Sequence, residues 1–396
     1  MKTHFTDWAD LDFPLVDADA HVNEPPELWQ ERVPAKWRDR APRLEHRDDG
    51  DWWAFDDGKR IRPVGLNAVA GLSVCDFRSE GLRYADIRPG SFETKARLHD
   101  LDLDGVFAQV LYPSVALEGA RLYTGERELQ LACVRAYNEW ITELCEPSGG
   151  RLFAQAVIPT TGVDDAVAEV EAALALGHRG VILSCYPNGT LDPSPEDDRF
   201  WGVVEDAGLP LSVHIGSFMR PRAGMGKWPD MHEQAFLGLA GGAKAGAHAI
   251  ELASDLLFSG VCERFPGIKV VLVEANIGWI PSMLEQLDDM FLRYRWFNEA
   301  VDRMLAMPSE LFHRNFFATF IVDTVGLELR HRMNLGHLMW STDYPHTPSD
   351  WPNTRVTVER QFRGLPLDEV RRLLNANAVD LYRLEIPATR PLPGRP

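Results

Sequence analysis

From about Phe92 onward, short apolar runs alternate along the chain with longer stretches in which apolar residues recur every three to four positions. The short runs are typical of buried strands, and the longer stretches are typical of amphipathic helices. Together with an opening strand that begins at Val16, the pattern predicts eight strands. The other seven are Gly105–Leu111, Leu152–Ile158, Gly180–Ser184, Leu211–His214, Ile268–Val273, Phe316–Ala318 and Leu338–Ser341.

Helical patterns lie between these strands and after the last one. They cover Glu126–Glu146, Val163–Leu176, Asp197–Ala207, Leu237–Arg264, Pro281–Phe297 and Thr324–Asn334, with a final pair at Pro352–Arg363 and Leu367–Tyr382. Near-continuous apolar strands that alternate with helices indicate a parallel sheet covered by helices, which is the α/β class. Eight such units in one chain favour a (β/α)8 TIM barrel over an open doubly wound sheet. No GxGxxG motif follows the first strand, which also argues against a dinucleotide-binding sheet.

The segment 24–92 departs from this pattern and is rich in Trp, Arg, Pro and Gly. We interpret it as an irregular insertion after strand 1 that covers the barrel mouth. Its tryptophans suggest a bulky, partly apolar substrate. The alternative is that they pack the insertion onto the barrel. We expect one metal-dependent barrel domain over residues 1–384, closed by a C-terminal helical extension, and a tail over 385–396.

The formal net charge of −18 and the pI near 5.1 argue against nucleic acid or an anionic membrane as a partner. No apolar run approaches the length of a transmembrane helix, and the first residues are too polar for a signal peptide. The five cysteines are scattered, without a CxxC pair. These features predict a cytoplasmic protein that acts on a small molecule.

Candidate metal ligands begin in the opening strand, where Asp17, Asp19 and His21 fall on alternate positions. Alternate side chains of a strand point to the same face. A buried column of carboxylates and imidazole is costly without a bound cation, so this pattern suggests a divalent metal. The alternative is an edge strand with a solvated acidic face.

Matching residues end later strands: His214 follows strand five, Glu274 strand six and Asp343 strand eight. In a barrel, the carboxyl ends of the strands converge on the active site. Each residue alone has a structural reading, such as a hydrogen-bonded histidine or an aspartate in a turn. The coincident placements favour a metal site made of Asp19, His21, His214, Glu274 and Asp343, with Glu24 as a further candidate.

Other residues are candidates for substrate binding, each with a structural alternative. His346 lies three positions after Asp343, and His248 lies in a Gly/Ala-rich stretch. Trp228 belongs to the segment Met225–Glu233, which follows strand five as a long loop and is placed to act as a lid.

Three stretches carry a resemblance to a known family: VDADAHVNEP, FSGVCERFPGIKVVLVEANIGWIPSMLEQLD and MWSTDYPH. The chain resembles the amidohydrolase superfamily from Val16 to Tyr382, and more narrowly the amidohydrolase-2 branch that holds aminocarboxymuconate-semialdehyde decarboxylase and the aromatic-acid decarboxylases. The resemblance implies that His214 and Asp343 bind metal and that Asp343 handles the proton of a water molecule. It also implies a homodimer.

Two positions depart from the family pattern. The family usually has His-x-His on strand one, where this chain has Asp19 and His21. At the strand-six position the named decarboxylase carries a catalytic histidine, and this chain carries Glu274. Three carboxylates against two histidines exceed the charge of one divalent ion. Either Glu274 therefore stays outside the ligand set as a base, or a second ion is bound; one or two ions of Zn, Fe or Mn per chain fit such a mixed site.

The leading prediction is a metal-dependent hydrolase. The metal would activate a water molecule that attacks an amide, ester or thioester of a bulky small molecule. Asp343 would act as general base, and Glu274 would orient the water or bridge two ions. The alternative is a non-oxidative, metal-dependent decarboxylase (a lyase) of an aromatic or unsaturated carboxylic acid. A third reading is a barrel with a degraded site that serves as a binding protein.

Overall fold

A computed structural model describes residues 3–56, 58, 60–78, 81–117, 119–218, 245–297 and 304–390. Within these residues, eight strands form one parallel sheet in the order β1-β5-β6-β7-β8-β9-β10-β11. Their bounds are β1 Val16–Val22, β5 Ala108–Pro113, β6 Leu152–Val157, β7 Gly180–Ile182, β8 Pro210–His214, β9 Lys269–Val273, β10 Phe316–Phe320 and β11 Leu338–Trp340.

Hydrogen bonds between β1 and the residues that follow β11 bring the two ends of this sheet together. The backbone N–H of His21 donates to the carbonyl of Tyr344 at 2.7 Å, and that of Asp343 donates to the carbonyl of Asp19 at 2.9 Å. The predicted (β/α)8 TIM barrel is therefore confirmed, and each predicted barrel strand overlaps an observed one. No helix among the described residues is long and apolar enough to cross a membrane.

Helices surround the sheet, and most of them match the predicted ones. They are α1 Leu28–Arg32, α2 Thr94–Asp104, α3 Arg127–Cys145, α4 Val163–Ala175, α5 Asp198–Ala207, α6 Ala245–Phe258, α7 Val261–Arg264, α8 Ile280–Tyr294, α9 Pro308–Asn315, α10 Thr324–Glu328, α11 Thr354–Phe362, α12 Leu367–Arg371 and α13 Asn377–Tyr382.

Some helix boundaries differ from the prediction. Gly260, with a φ of +77°, separates α6 from α7 within the helix predicted over Leu237–Arg264, and the start of that helix lies outside the described residues. Helix α10 ends at Glu328, and a single 3-10 turn follows it instead of the longer predicted helix. Helices α1, α2 and α9 have no counterpart in the prediction.

The insertion after β1 is more regular than its sequence suggested. It contains an antiparallel sheet of β2 Arg43–Arg47, β3 Gly50–Phe55 and β4 Arg60–Pro63. The Trp29 indole is fully buried, packs edge-on against Trp53 at 5.6 Å, and donates to the carbonyl of Cys133 in α3. These two tryptophans therefore pack the insertion onto the barrel.

A β-bulge in β1 decides which of its side chains face the barrel interior. Asp17 pairs with Gln109 and Ala20 pairs with Leu111, so β1 has one residue more than β5 between these points. The extra residue breaks the two-residue alternation. Asp17 therefore shares the outward face of Gln109, and the expectation that it points with Asp19 and His21 is wrong.

Candidate metal centre

Four of the predicted ligands converge inside the barrel, at the carboxyl end of the strands. The Nε2 atom of His21 lies 3.0 Å from an oxygen of Asp343, 3.4 Å from an oxygen of Asp19 and 3.1 Å from the Nε2 atom of His214. His214 Nε2 lies 3.6 Å from the same Asp19 oxygen. All four side chains are buried. The donor atoms therefore form one connected cluster with His21 at its centre.

Backbone carbonyls fix the orientation of both histidines. His21 Nδ1 lies 3.0 Å from the carbonyl of Pro113, and His214 Nδ1 lies 3.2 Å from the carbonyl of Ile215. A carbonyl only accepts, so each Nδ1 carries a proton and donates it. In the neutral rings the two Nε2 lone pairs then face each other. This is the usual arrangement of metal-binding histidines, whose second nitrogen donates to a protein oxygen.

The two aspartates have few partners. Among the described residues, both carboxylate oxygens of Asp19 and both of Asp343 are buried without a well-formed hydrogen bond, and their near neighbours include ring nitrogens of the histidines in the cluster. Buried carboxylates without partners are strongly unfavourable, and a divalent cation would compensate both charges. Two imidazole nitrogens with carboxylate oxygens form a donor set that suits Zn, Mn or Fe. The residues present therefore fit a divalent metal.

The same surroundings favour a positive charge on His21. Burial lowers the pKa of His21, but the contacts with Asp19 and Asp343 outweigh it and raise that pKa well above its usual value. Burial raises the pKa of Asp343, but His346 and His21 outweigh it and lower that pKa. The cluster thus attracts positive charge at its centre.

Glu274 lies at the rim of this cluster. Its Oε2 atom is 3.8 Å from His214 Nε2, and its side chain is 15% exposed while the four converging ligands are fully enclosed. Its backbone has a φ of +57° and donates to the hydroxyl of Thr319 at 2.8 Å, which turns the chain at the end of β9. Burial, with the charges of Asp343 and Asp19, raises the pKa of Glu274 well above its usual value. Its role as a ligand stays a prediction.

His346 belongs to the centre. Its ring stacks on that of His21 with 3.8 Å between centroids and 17° between planes. Its Nε2 atom lies 2.9 Å from the hydroxyl of Ser114, and its Nδ1 atom lies 3.3 Å from Asp343. Donor atoms of His21, Asp343 and His346 form a second close group that overlaps the group of Asp19, His21 and His214.

The remaining predicted substrate-binding residues are placed differently. His248 lies on α6 and lines a cavity of about 10 Å³, large enough for about one water molecule, together with His214 and Ser217. Trp228 and the predicted lid 225–233 lie outside the described residues. Substrate binding by these residues stays a prediction.

Glu24, the possible extra ligand, is engaged elsewhere. It is fully buried, and its carboxylate accepts the backbone N–H groups of Val115 at 2.9 Å and Ala116 at 3.4 Å. Burial raises the pKa of Glu24 to about 7. These contacts tie the chain after β1 to the chain after β5.

A family model described as amidohydrolase (Amidohydro_2) matches residues 16–384. The chain belongs to the amidohydrolase family. The resemblance stated from the sequence is therefore confirmed. No match was found among curated proteins.

Several solved structures resemble that of this amidohydrolase-family protein. An amidohydrolase from Mycobacterium avium subsp. paratuberculosis K-10 has 19% identity and a TM-score of 0.72, covering 94% of this chain and 100% of the other. The 5-carboxyvanillate decarboxylase LigW from Sphingomonas paucimobilis has 21% identity and a TM-score of 0.63, covering 94% and 100%. A dihydroxybenzoic acid decarboxylase from Polaromonas sp. JS666, solved with manganese and 2-nitroresorcinol, has 15% identity and a TM-score of 0.61, covering 94% and 97%. At these identities the likeness shows the fold.

Sequence reasoning missed two residues of the amidohydrolase centre, Tyr112 and Ser114. The predicted strand ended at Leu111, whereas β5 continues to Pro113. The Tyr112 ring lies below both histidines, 6.0 Å from the ring of His21, and its hydroxyl contacts Ser212. Extending the two-residue alternation from Val110 would have placed both residues inside the barrel.

Proposed function

We propose that this amidohydrolase-family protein is a metal-dependent decarboxylase that acts without oxidation on an aromatic or unsaturated carboxylic acid. The observation that carries the proposal is the clustering of Asp19, His21, His214 and Asp343, each of which has a donor atom 3.0–3.6 Å from a donor atom of another. This spacing suits a single ion, and a single ion favours the lyase over hydrolysis by two metals. The decarboxylases described above, whose folds are similar, support the same choice.

The charge of the centre is compatible with an anionic substrate. Two carboxylates balance one divalent ion, and both histidines are neutral when they bind metal. A bound divalent ion would supply a Lewis acid that holds the substrate carboxylate or a neighbouring oxygen. The chain's own part is to fix the four donors, to enclose them away from water, and to supply a proton.

The reaction requires one proton at the carbon that bears the carboxylate. As that C–H bond forms, the C–C bond to the carboxylate breaks, CO₂ leaves, and its bonding electron pair stays with the substrate carbon. Two carboxyl groups of the chain are placed to carry the proton: Asp343 within the cluster, and Glu274 at its rim. Positioned acids of this kind contribute roughly 10²–10⁴-fold to rate.

Hydrolysis is the second candidate, and one observation favours it. The donor groups form two overlapping sets that share His21, and Glu274 lies 3.8 Å from His214. If Glu274 bridged a second ion, the centre would suit a metal-activated water that attacks an amide, ester or thioester. Metal count therefore separates the two functions.

The test supplies purified protein with Mn²⁺ and offers two panels of compounds. One panel holds hydroxybenzoates and unsaturated carboxylic acids, and the other holds bulky amides, esters and thioesters. The proposal expects CO₂ release from the first panel, one ion per chain by elemental analysis, and, in D₂O, deuterium at the vacated carbon by mass spectrometry. Hydrolysis of the second panel with two ions per chain would replace the proposal, and Asp343→Asn protein purified in parallel controls for contaminating enzymes.

A further inference from the structure

His346 has both ring nitrogens occupied by contacts within the protein. It is 6% exposed, with Nε2 facing the Ser114 hydroxyl at 2.9 Å and Nδ1 facing an oxygen of Asp343 at 3.3 Å. Its ring lies flat against that of His21. This arrangement leaves neither nitrogen directed at open space.

The position of the ring proton follows from these two contacts. A serine hydroxyl donates or accepts, whereas an ionised carboxylate only accepts. A nitrogen lone pair facing the Asp343 oxygen would be repelled by it. Nδ1 therefore carries the proton toward Asp343, and Nε2 accepts from the Ser114 hydroxyl.

Ser114 is itself held in place. It follows β5, its backbone N–H donates to the carbonyl of Val22 at 3.0 Å, and its carbonyl accepts from the Asn67 side chain at 3.3 Å. These two hydrogen bonds fix the backbone of Ser114 to β1 and to the insertion, and so they fix the position from which its hydroxyl extends. A line of contacts runs from Ser114 through His346 to Asp343.

We propose that His346, held by Ser114, is a positioning residue that orients the Asp343 carboxylate toward the metal, and that it is neither a metal ligand nor a substrate contact. The contacts of His346 with Ser114 and Asp343 do not depend on which reaction the protein catalyses. Only the activity readout rests on the proposed function. Replacing a residue that hydrogen-bonds to a metal ligand and orients it typically weakens metal affinity by about 10–100-fold.

Two replacements of His346 separate its two nitrogens. The Asn amide nitrogen occupies about the place of Nδ1, so His346→Asn keeps a donor toward Asp343. The longer Gln reaches about the place of Nε2, so His346→Gln keeps the contact with Ser114 and loses that donor. Both variants lose the ring that stacks on His21, which makes them a matched pair.

The experiment measures Mn²⁺ affinity by titration, with the ion count per chain from elemental analysis and the EPR spectrum of bound Mn²⁺. We expect His346→Gln to weaken affinity about 10–100-fold, and His346→Asn to weaken it less. The ion count stays that of the wild type in both. Ser114→Ala weakens affinity in the same direction, and Ser114→Thr, which keeps the hydroxyl, restores both the affinity and the wild-type EPR spectrum.

Three results would overturn this role. Loss of one ion per chain in His346→Asn makes His346 a ligand, and unchanged Mn²⁺ affinity in both His346→Gln and Ser114→Ala means that Asp343 needs no support. With a substrate in hand, a raised KM at constant kcat makes His346 a substrate contact. If no compound is turned over by any form, the proposed function fails, while the metal titration still decides the positioning role.

Discussion

Asp17 and Asp19 lie on the same strand and are both fully buried, yet their surroundings are opposite. The carboxylate of Asp17 accepts from the backbone N–H of Thr342 at 2.9 Å, from the side chain of Gln109 at 2.9 Å and from the backbone N–H of Asp19 at 3.2 Å. It also accepts from the Thr342 hydroxyl. Within the part of the chain that the structure describes, the carboxylate of Asp19 has no well-formed hydrogen bond.

Asp17 is a structural carboxylate, whereas Asp19 has the surroundings expected of a metal ligand. Donors within the chain satisfy Asp17, which links β1 to the residues after β11 without any cation. The donor atoms of Asp19, His21 and His214 form one close group, and His21 also belongs to a second close group with Asp343 and His346. Asp17 and Asp19 are the same residue type and are both buried. They differ in the number of hydrogen bonds that their carboxylates accept, and this difference marks the candidate metal site.

The comparison also concerns stability. Removing a partner from a buried charge costs several kcal/mol, because the charge is left without compensation. The charge of Asp17 is compensated by hydrogen-bond donors of the chain itself. The charges of Asp19 and Asp343 are compensated by a cation or by protonated histidine. Metal binding should therefore stabilise the folded state around Asp19 and Asp343 and leave the surroundings of Asp17 unaffected.

Asp343→Asn should produce the largest effect. The amide keeps the shape of the side chain but cannot hold or release the proton and binds metal weakly, so turnover should fall by about 1,000-fold or more. Steady-state kinetics on a substrate from the panels measures this, and circular dichroism establishes that the variant is folded. Activity within about tenfold of the wild type would remove Asp343 from the chemistry.

Replacing the two β1 aspartates tests the comparison directly. Asp19→Asn should weaken Mn²⁺ binding by about 100-fold or more, since loss of a ligand exceeds the effect of losing a residue behind one. Asp17→Asn, the matched control on the same strand, should leave the affinity within about threefold. Calorimetric titration measures both, and equal losses in the two variants would contradict the separation.

Asp17→Ala should lower the stability of the fold and leave metal binding intact. It leaves the donors of Thr342 and Gln109 buried without an acceptor, at an expected cost of about 3 kcal/mol in the free energy of unfolding. Urea unfolding at saturating Mn²⁺ measures it. The control is Asp19→Ala, in which the stabilisation that added Mn²⁺ gives the wild type should disappear. Mn²⁺-dependent stabilisation should persist in Asp17→Ala, and its loss would count against the assignment.

The barrel and four of its inward-facing candidate ligands were predictable because their signals are local. A strand end is marked by the residues of that strand, and a closed barrel brings such ends together whatever lies between them. The bulge in β1 was not predictable in this way, since it exists only in the pairing of Asp17 and Ala20 with β5. The contact between Ser114 and His346 joins residues 232 positions apart, and neither carries a local mark of it.

Helix α2 was missed for a different reason. Its sequence, TKARLHDLDLD, lacks the wide apolar stripe on which the prediction depended. The buried face of α2 is polar instead. The guanidinium of Arg97 donates to Gln109 at 2.7 Å, and the carboxylate of Asp100 binds Arg88. A helix that packs through charges and hydrogen bonds has no hydrophobic period to detect.

Thr342→Val should give the smallest effect and the sharpest test of the boundary between the two groups. Thr342 precedes the ligand Asp343 and donates its hydroxyl to Asp17, while that hydroxyl accepts from the backbone of Tyr344 at 3.1 Å. Valine keeps the shape of the side chain and the backbone donor but loses the hydroxyl, so the free energy of unfolding should fall by only about 1 kcal/mol. Thr342→Ser, which keeps the hydroxyl, should restore most of that stability.

Mn²⁺ affinity should change by less than about twofold in Thr342→Val, because the backbone N–H of Asp343 is held separately by the carbonyl of Asp19 at 2.9 Å. A loss of about tenfold or more, the range expected of a residue that supports a ligand, would mean that the outer network of Asp17 orients Asp343. The two aspartates of β1 would then belong to one site, and the comparison would fail where they lie closest in the chain.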